Sequence, residues 1–222
     1  DYRRSRPAAR RAAAPAETGE TCPNCLKPLA LCICAAVAPV DNRVFVLILQ
    51  HPQEQDKQLG TAQLARLQLK RSLLKVGLSW PGLKRILGRE IDPARWGVLF
   101  LGTAKTAAAG SSEEIVLLDR KGQPLAGQRD ALPDLKGIVL LDGNWAQAKA
   151  LWWRNPWLLK LRRLVLHPKH GSLYGGLRKE PRSDSLSTIE AAAFCLARLE
   201  HKPELEDAIL VPFRALLHKY RG

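Results

Sequence analysis

Gly137-Ile138-Val139-Leu140-Leu141-Asp142-Gly143-Asn144-Trp145-Ala146-Gln147-Ala148 is the stretch whose reading decides the fold. A run of apolar and small residues suits a strand buried on both faces, as in a parallel sheet, and Asp-Gly-Asn then turns the chain. A helix begins there. Asn144 can cap it by accepting from the backbone of Gln147, which sits where a capping box places its reciprocating amide. Asp142 therefore falls at the carboxyl end of a strand beside a helix amino terminus, the position where open α/β sheets collect ligands. An Asp-Gly pair also stabilises turns unaided, so the local signal supports both a site and a plain turn.

The flanking segments repeat the pattern. Val44 to Gln50 (VFVLILQ) ends in Gln50-His51-Pro52-Gln53-Glu54, Trp96 to Leu101 (WGVLFL) ends in Gly102-Thr103, and Arg162 to His167 (RRLVLH) ends in His-Pro. In a parallel sheet these polar ends and Asp142 gather on one edge, and the helical stretches between them are the crossovers such strands require. Glu114 to Asp119 (EIVLLD) reads as an added strand or hairpin arm. Thr61 to about Val76 reads as an amphipathic helix, with Leu64, Leu67 and Leu74 inward and Arg66, Lys70, Arg71 and Lys75 forming an outward basic stripe. Trp80 to Asp92 reads as a loop or short helix. Ser187-x-x-Glu190 is a capping box that opens a helix to about Glu200, and Glu204 to Tyr220 is a closing helix packed through Leu205, Ile209, Phe213 and Leu217. The expected fold is α/β, with a mostly parallel sheet and helices on both faces.

At 222 residues with 46% hydrophobic residues, the chain is long enough for one α/β domain and a small appendage. Lys and Arg outnumber Asp and Glu by 35 to 21, for a formal charge of +14 and a pI near 10.0, which points to a polyanionic partner, most commonly nucleic acid. No apolar run is long enough for a membrane span. The absence of a P-loop, of G-x-G-x-x-G after a strand, of G-x-S-x-G and of H-E-x-x-H leaves ATP hydrolysis, serine hydrolysis and zincin chemistry unsupported.

Residues 1–20 carry five Arg among Ala and Pro and read as a flexible basic arm, whose composition also resembles an organelle transit peptide. Residues 21–40 hold Cys22, Cys25, Cys32 and Cys34 in the pattern C-x2-C-x6-C-x-C. Four thiols so close suit a tetrahedral zinc site that folds this segment; two disulfides or an iron–sulfur cluster are the alternatives. The remainder, 41–222, is the catalytic or binding domain.

Taken in order, the four-cysteine pattern, Gln50-His51-Pro52-x-Glu54, Asp142-Gly-Asn-Trp145 with Ala148-Lys149, and Leu186-Ser-Thr-x-Glu190-Ala191 resemble the DTW-domain family over about residues 22 to 200. The sequence departs from the family where its Asp-x-Thr-Trp becomes Asp142-Gly143-Asn144-Trp145, and where an Asn-Thr pair becomes Gly60-Thr61. Asn144 keeps a polar cap but removes the Thr hydroxyl. The resemblance implies a SPOUT-like domain knotted near the carboxyl terminus, and transfer of the 3-amino-3-carboxypropyl group from S-adenosylmethionine to N3 of a tRNA uridine. It implies that Leu101, Gly102, Thr103, Leu140, Leu141, Leu186, Ser187 and Thr188 line the cofactor pocket, with Trp145 beside it and Arg178 pairing with the cofactor carboxylate. Asp142 would accept the N3 proton or hold the cofactor ammonium, with Glu190 as second candidate. His51, Glu54 and Asn144 would border the substrate, Trp145 could wall a flipped uridine, and Arg66, Lys70, Arg71, Lys179 and Arg182 would meet tRNA phosphates. Zinc would be structural and the location cytoplasmic, while the oligomeric state is not set by the sequence. Two other readings stand beside this one: an RNA methyltransferase using the same cofactor, and a non-catalytic RNA-binding zinc-knuckle protein.

Overall fold

A computed structural model describes residues 20–99, 114–119, 122–127, 131–177 and 186–221. Among these, six strands form one sheet: β1 (Phe45–Gln50), β2 (Ser72–Val76), β3 (Trp96–Leu99), β4 (Ile115–Leu118), β5 (Gly137–Asp142) and β6 (Arg162–Leu166). Their order is β2-β1-β5-β3-β6-β4, parallel throughout except for β4, which runs antiparallel to β6. The stretch Gly137–Asp142 is thus a central strand between β1 and β3, which is why it has no polar residue before its last. Gly137 is required by close approach, since a Cβ there would lie 2.5 Å from the Trp96 indole.

Helices α1 (Ala62–Gln68), α2 (Leu83–Leu87), α3 (Trp145–Arg154), α4 (Thr188–Leu199) and α5 (Glu204–Arg221) accompany the sheet. Alternation along the strands divides the core in two. Val46, Ile48, Ile138, Leu140 and Leu164 face α1, α4, α5 and the cysteine segment. Leu47, Leu49, Val98 and Val139 face Leu83 of α2, Trp152 of α3 and the Leu158–Leu161 turn. Ten of the twelve α4 residues are buried, four of them Ala, which lets the helix sit close between the sheet and α5. Burial also pushes the Cys195 thiol within it up to about 12. The cysteine segment contributes Cys22, Cys25, Leu31 and Ile33 to the same core as α4 and α5, and Lys219 of α5 donates to the Cys32 carbonyl at 2.7 Å.

One sequence expectation is corrected. The helix opening after Thr61 stops at Gln68, and 72–76 is the edge strand β2 paired in parallel with β1. Leu69 is already extended, Ser72 Oγ donates to the carbonyls of Arg66 and Leu69, and Asn42 accepts from Arg71 N and donates to its carbonyl. These bonds satisfy the helix end locally and turn the chain into the sheet. Arg66 is therefore alone on α1, with Lys70 and Arg71 exposed in the turn and Lys75 exposed on β2, so no continuous helical stripe exists. The short apolar run at 114–119 is the added antiparallel strand, and both capping boxes form, at Asn144–Gln147 and Ser187–Glu190. No helix among the described residues is long and apolar enough to cross a membrane.

Candidate active site

The carboxyl ends of β1, β3, β5 and β6 point the same way, and Gln50 lies opposite Asp142 in register. Asp142 continues the Ile138, Leu140 side of β5, so its carboxylate enters the core layer that holds α4. It is 8% exposed. One oxygen accepts from Gln50 Nε2 at 2.8 Å, and the other accepts from the Thr188 hydroxyl at the start of α4. Gly143 follows because a Cβ there would stand 2.8 Å from Gln147 Cβ, and Gln147 must stay close to close the capping box. The fold has brought a strand end, its neighbour and a helix start onto one acid.

Glu190 is equally buried, yet its partners differ. Its carboxylate accepts from Ser187 N at 2.8 Å, Ser172 Oγ at 2.7 Å and Leu173 N at 2.6 Å. Three donors on one carboxylate tie the α4 cap to the 172–174 loop. His51 caps the turn at Pro52–Glu54 by accepting from Gln53 N, and Glu54 is buried beside it. Gln147 Nε2 donates to Gln53 Oε1 at 3.2 Å, so the loops after β1 and β5 are joined. Asn144 spends its side chain on the α3 cap, and Trp145 opens that helix 47% exposed. Leu140 is buried, Leu141 and Leu186 half-buried, and Ser187 buried in its cap. Leu101, Gly102, Thr103, Arg178, Lys179 and Arg182 lie outside the described residues, as does the basic arm up to residue 19.

Sequence reasoning missed two parts of this arrangement. Gln50 stood within a quoted motif, but only the sheet order reveals that it faces Asp142. Lys27, inside the cysteine pattern, is 3% exposed and donates to the carbonyls of Lys57 at 2.9 Å and Gly60 at 2.6 Å. Burial pulls its ammonium down to about 8, against the opposing pull of Cys25 and Asp142. The loop it grips carries Leu59, whose carbonyl accepts from the Tyr174 hydroxyl, and Thr61, whose hydroxyl accepts from Ile189 N of α4 at 3.3 Å. A path of direct contacts thus runs from the cysteines to α4, whose Thr188 holds Asp142.

The four cysteine sulfurs lie within 4.8 Å of one another, with Cys22–Cys34 at 3.6 Å and Cys25–Cys32 at 3.8 Å. A disulfide needs about 2.05 Å. Four thiolates at about 2.3 Å from a tetrahedral zinc stand about 3.8 Å apart, so the cluster already has the dimensions of a metal site. Backbone hydrogen bonds from Cys25 and Asn24 hold the Cys22 thiol down at about 6. Burial holds Cys25 above its ordinary value, and, against a hydrogen bond from Asn24, burial and the neighbouring thiols push Cys34 up to about 12. A bound metal would draw all four to the thiolate. All four donors are thiols with no oxygen or imidazole among them, so the residues fit a structural metal. Two clefts among the described residues lie elsewhere, one of about 540 Å3 beside Glu114 and Arg198 and another of about 440 Å3 beside Lys84 and Trp157. Neither includes Asp142, whose place is set by the sheet edge.

The chain matches the family model described as the DTW domain over residues 19–221. It is 30% identical over 201 residues to tRNA-uridine aminocarboxypropyltransferase 2 of Drosophila melanogaster, an alignment covering 88% of this chain and 72% of that protein. It is 29% identical to the protein of the same name in Macaca fascicularis, across 91% of this chain and 64% of the relative. It is also 29% identical to tRNA-uridine aminocarboxypropyltransferase A of Arabidopsis thaliana, across 82% and 73%. No solved structure matches. With the family model spanning nearly the whole chain, from the cysteine segment through the Asp142 edge to the last helix, the chain belongs to the DTW-domain family.

Proposed function

We propose that this chain transfers the 3-amino-3-carboxypropyl group of S-adenosylmethionine to N3 of a tRNA uridine, releasing methylthioadenosine. The observation that carries the reading is the Asp142 carboxylate, fixed by Gln50 and Thr188 at the ligand-collecting edge of a parallel sheet, in a chain whose relatives bear that activity in their names. The fold is SPOUT-like with a knot near the carboxyl terminus, a proposal supported by the mostly parallel sheet and by α4 lying between it and α5. The arm at 1–20, the knuckle at 21–40 and the catalytic domain at 41–222 remain the proposed divisions.

When bound, the donor supplies a methylene carbon already activated by its sulfonium, so the chain's part is to hold, orient and deprotonate. Leu140, Leu141, Leu186, Ser187 and Thr188, together with Leu101, Gly102, Thr103 and Arg178, form the proposed donor pocket, with Trp145 at its rim. Uracil N3 carries a proton and is a weak nucleophile at neutral pH. Asp142 accepts that proton, and the two donors on its oxygens keep it aimed. Glu190 supports the α4 start and does not touch the reacting atoms. His51, Glu54 and Asn144 border the uridine, while Arg66, Lys70, Arg71, Lys179 and Arg182 meet phosphates. Zinc is held by Cys22, Cys25, Cys32 and Cys34. A cytoplasmic setting, where thiols stay reduced, suits that site.

The test is nucleoside mass spectrometry of unmodified tRNA incubated with the purified chain and S-adenosylmethionine. A uridine carrying the aminocarboxypropyl group, with methylthioadenosine released, is the expected product. A methyl group would make this an RNA methyltransferase, and tRNA binding without product would leave an RNA-binding protein. Asp142→Asn is expected to lose about 100-fold or more in turnover; a wild-type rate removes Asp142 as the base.

A further inference from the structure

One surface, of which only Trp145 has been given a role so far, lies on the α2 and α3 side of the sheet. Trp145, Lys149 and Trp153 recur every four residues, so they fall on one stripe of α3, which spans roughly 12 Å from the first to the last. Lys149 is exposed, Trp145 is 47% exposed and Trp153 is 71% exposed, in a helix whose inner face buries Ala148 and Leu151. An indole this exposed contributes little to the core. Its place in the fold is set from beneath, by Asn155, which accepts from Trp80 N and from Trp157 Nε1 and donates to the carbonyls of Leu78 and Leu151.

The sequence that carries the stripe is one-sided in charge. From Gly143 to Lys179 the sequence has eight Lys or Arg and no Asp or Glu. Arg154 is exposed at the end of α3, and the Pro156–Lys160 turn that follows α3 in the chain walls a cleft with α2 through Lys84, Arg85, Lys160 and the Trp157 ring. The acids near that cleft are Glu90, which pairs with Lys84, and Asp92, which caps the following turn. The closing helix α5, by contrast, mixes both signs, with Glu204, Glu206 and Asp207 in its first turn and Lys219 and Arg221 in its last. Cations alternating with exposed indoles fit unstacked bases strung on phosphates.

We propose that the outer stripe of α3 is the docking track for a single-stranded segment of the RNA substrate, with a base stacked on Trp153 and phosphates on Lys149 and Arg154. The track begins three residues after Asp142, so an RNA loop lying along it delivers its next nucleotide to the sheet edge. The identity of the RNA as a tRNA rests on the function proposed above; the surface itself does not.

The experiment is fluorescence anisotropy of a labelled tRNA transcript against the full chain across a potassium chloride series, without S-adenosylmethionine. Trp153→Ala is expected to weaken binding about ten-fold, the scale of one base stacked on an aromatic ring, and Trp153→Phe to restore most of it. Lys149→Ala should flatten the slope of log affinity against log salt by roughly 0.7 to 0.9, one phosphate contact. Arg214→Ala, on the exposed side of α5, serves as control and should change neither. Unchanged affinity in a Trp153→Ala, Lys149→Ala double variant overturns the proposal. So does a Trp153→Ala variant that loses self-association seen by sedimentation while keeping tRNA affinity, since the stripe would then be a protein contact. A wild-type chain that binds tRNA through this stripe but makes no product refutes the proposed reaction and leaves the track standing.

Discussion

Glu190→Gln separates a positioning carboxylate from a catalytic one. In the native fold three donors converge on Glu190: Ser172 Oγ and Ser187 N on one oxygen, Leu173 N on the other. The Ser172 hydroxyl can reverse and accept from a new amide. The two backbone N–H groups cannot, so one of them would face the Gln NH2 inside the protein. Leaving a buried N–H unsatisfied costs about 1–3 kcal/mol, and weakening the remaining charge-assisted bonds adds to it, for a total of about 2–4 kcal/mol. For a chain of this size that lowers the melting temperature by about 5–15 °C. The assay is thermal unfolding by circular dichroism, paired with turnover measured well below the lower transition. The expected outcome is a clear drop in melting temperature with turnover within about threefold of wild type. An unchanged melting temperature with turnover reduced by about 100-fold, the size of a lost acid–base group, would refute the assignment and return Glu190 to the reacting atoms.

Lys27→Met should strand the Lys57 and Gly60 carbonyls, costing about 2 kcal/mol and exposing that loop to faster protease nicking; an unchanged urea midpoint and cleavage rate would show that the bonds contribute nothing. The purified chain should carry one equivalent of metal by elemental analysis, and chelation or Cys32→Ser should lower its melting temperature by about 10 °C or more. Metal-free protein that melts as before would contradict the four-thiolate site. The Arg198 guanidinium foremost, and Lys169 with it, hold the Glu114 carboxyl below its ordinary value of 4.5, against burial. A depressed native value means stability present above the unfolded value and lost as pH falls through the native one. Glu114→Gln should therefore be less stable than wild type at pH 7, with the gap closing below about pH 4; a gap independent of pH would rule this out.

What could be read in advance followed from local chemistry. Gly137–Asp142 announced a doubly buried strand because it lacks polar residues, and Asn144–Gln147 and Ser187–Glu190 announced helix starts because capping needs only residues three apart. The four cysteines were legible from spacing alone. The segment 61–76 was not, because Leu64, Leu67 and Leu74 fit a helical period while Ser72-Leu73-Leu74-Lys75-Val76 also suits a strand, and only pairing with β1 decides. The same limit hid the environment of Asp142. Gln50 precedes it by 92 positions and Thr188 follows it by 46, so both contacts are products of sheet order and helix docking. Lys27 was least visible of all: a lysine among clustered cysteines reads as solvated until the 57–60 loop is seen to cover it.

The place of β5 between β1 and β3 also sets a schedule. A chain emerging from the ribosome at roughly 5–20 residues per second has finished β1 about 5–20 s before Asp142 appears. Through that interval β1 can pair with β2 along one side only, and β3 waits with no neighbour in hand, since β6 comes later still. Val46, Leu47, Ile48 and Leu49 meanwhile present an open edge of the kind that recruits other strands. Nascent chains halted before Gly137 should be bound by chaperones or aggregate, and those released past Arg154 should begin to resist both.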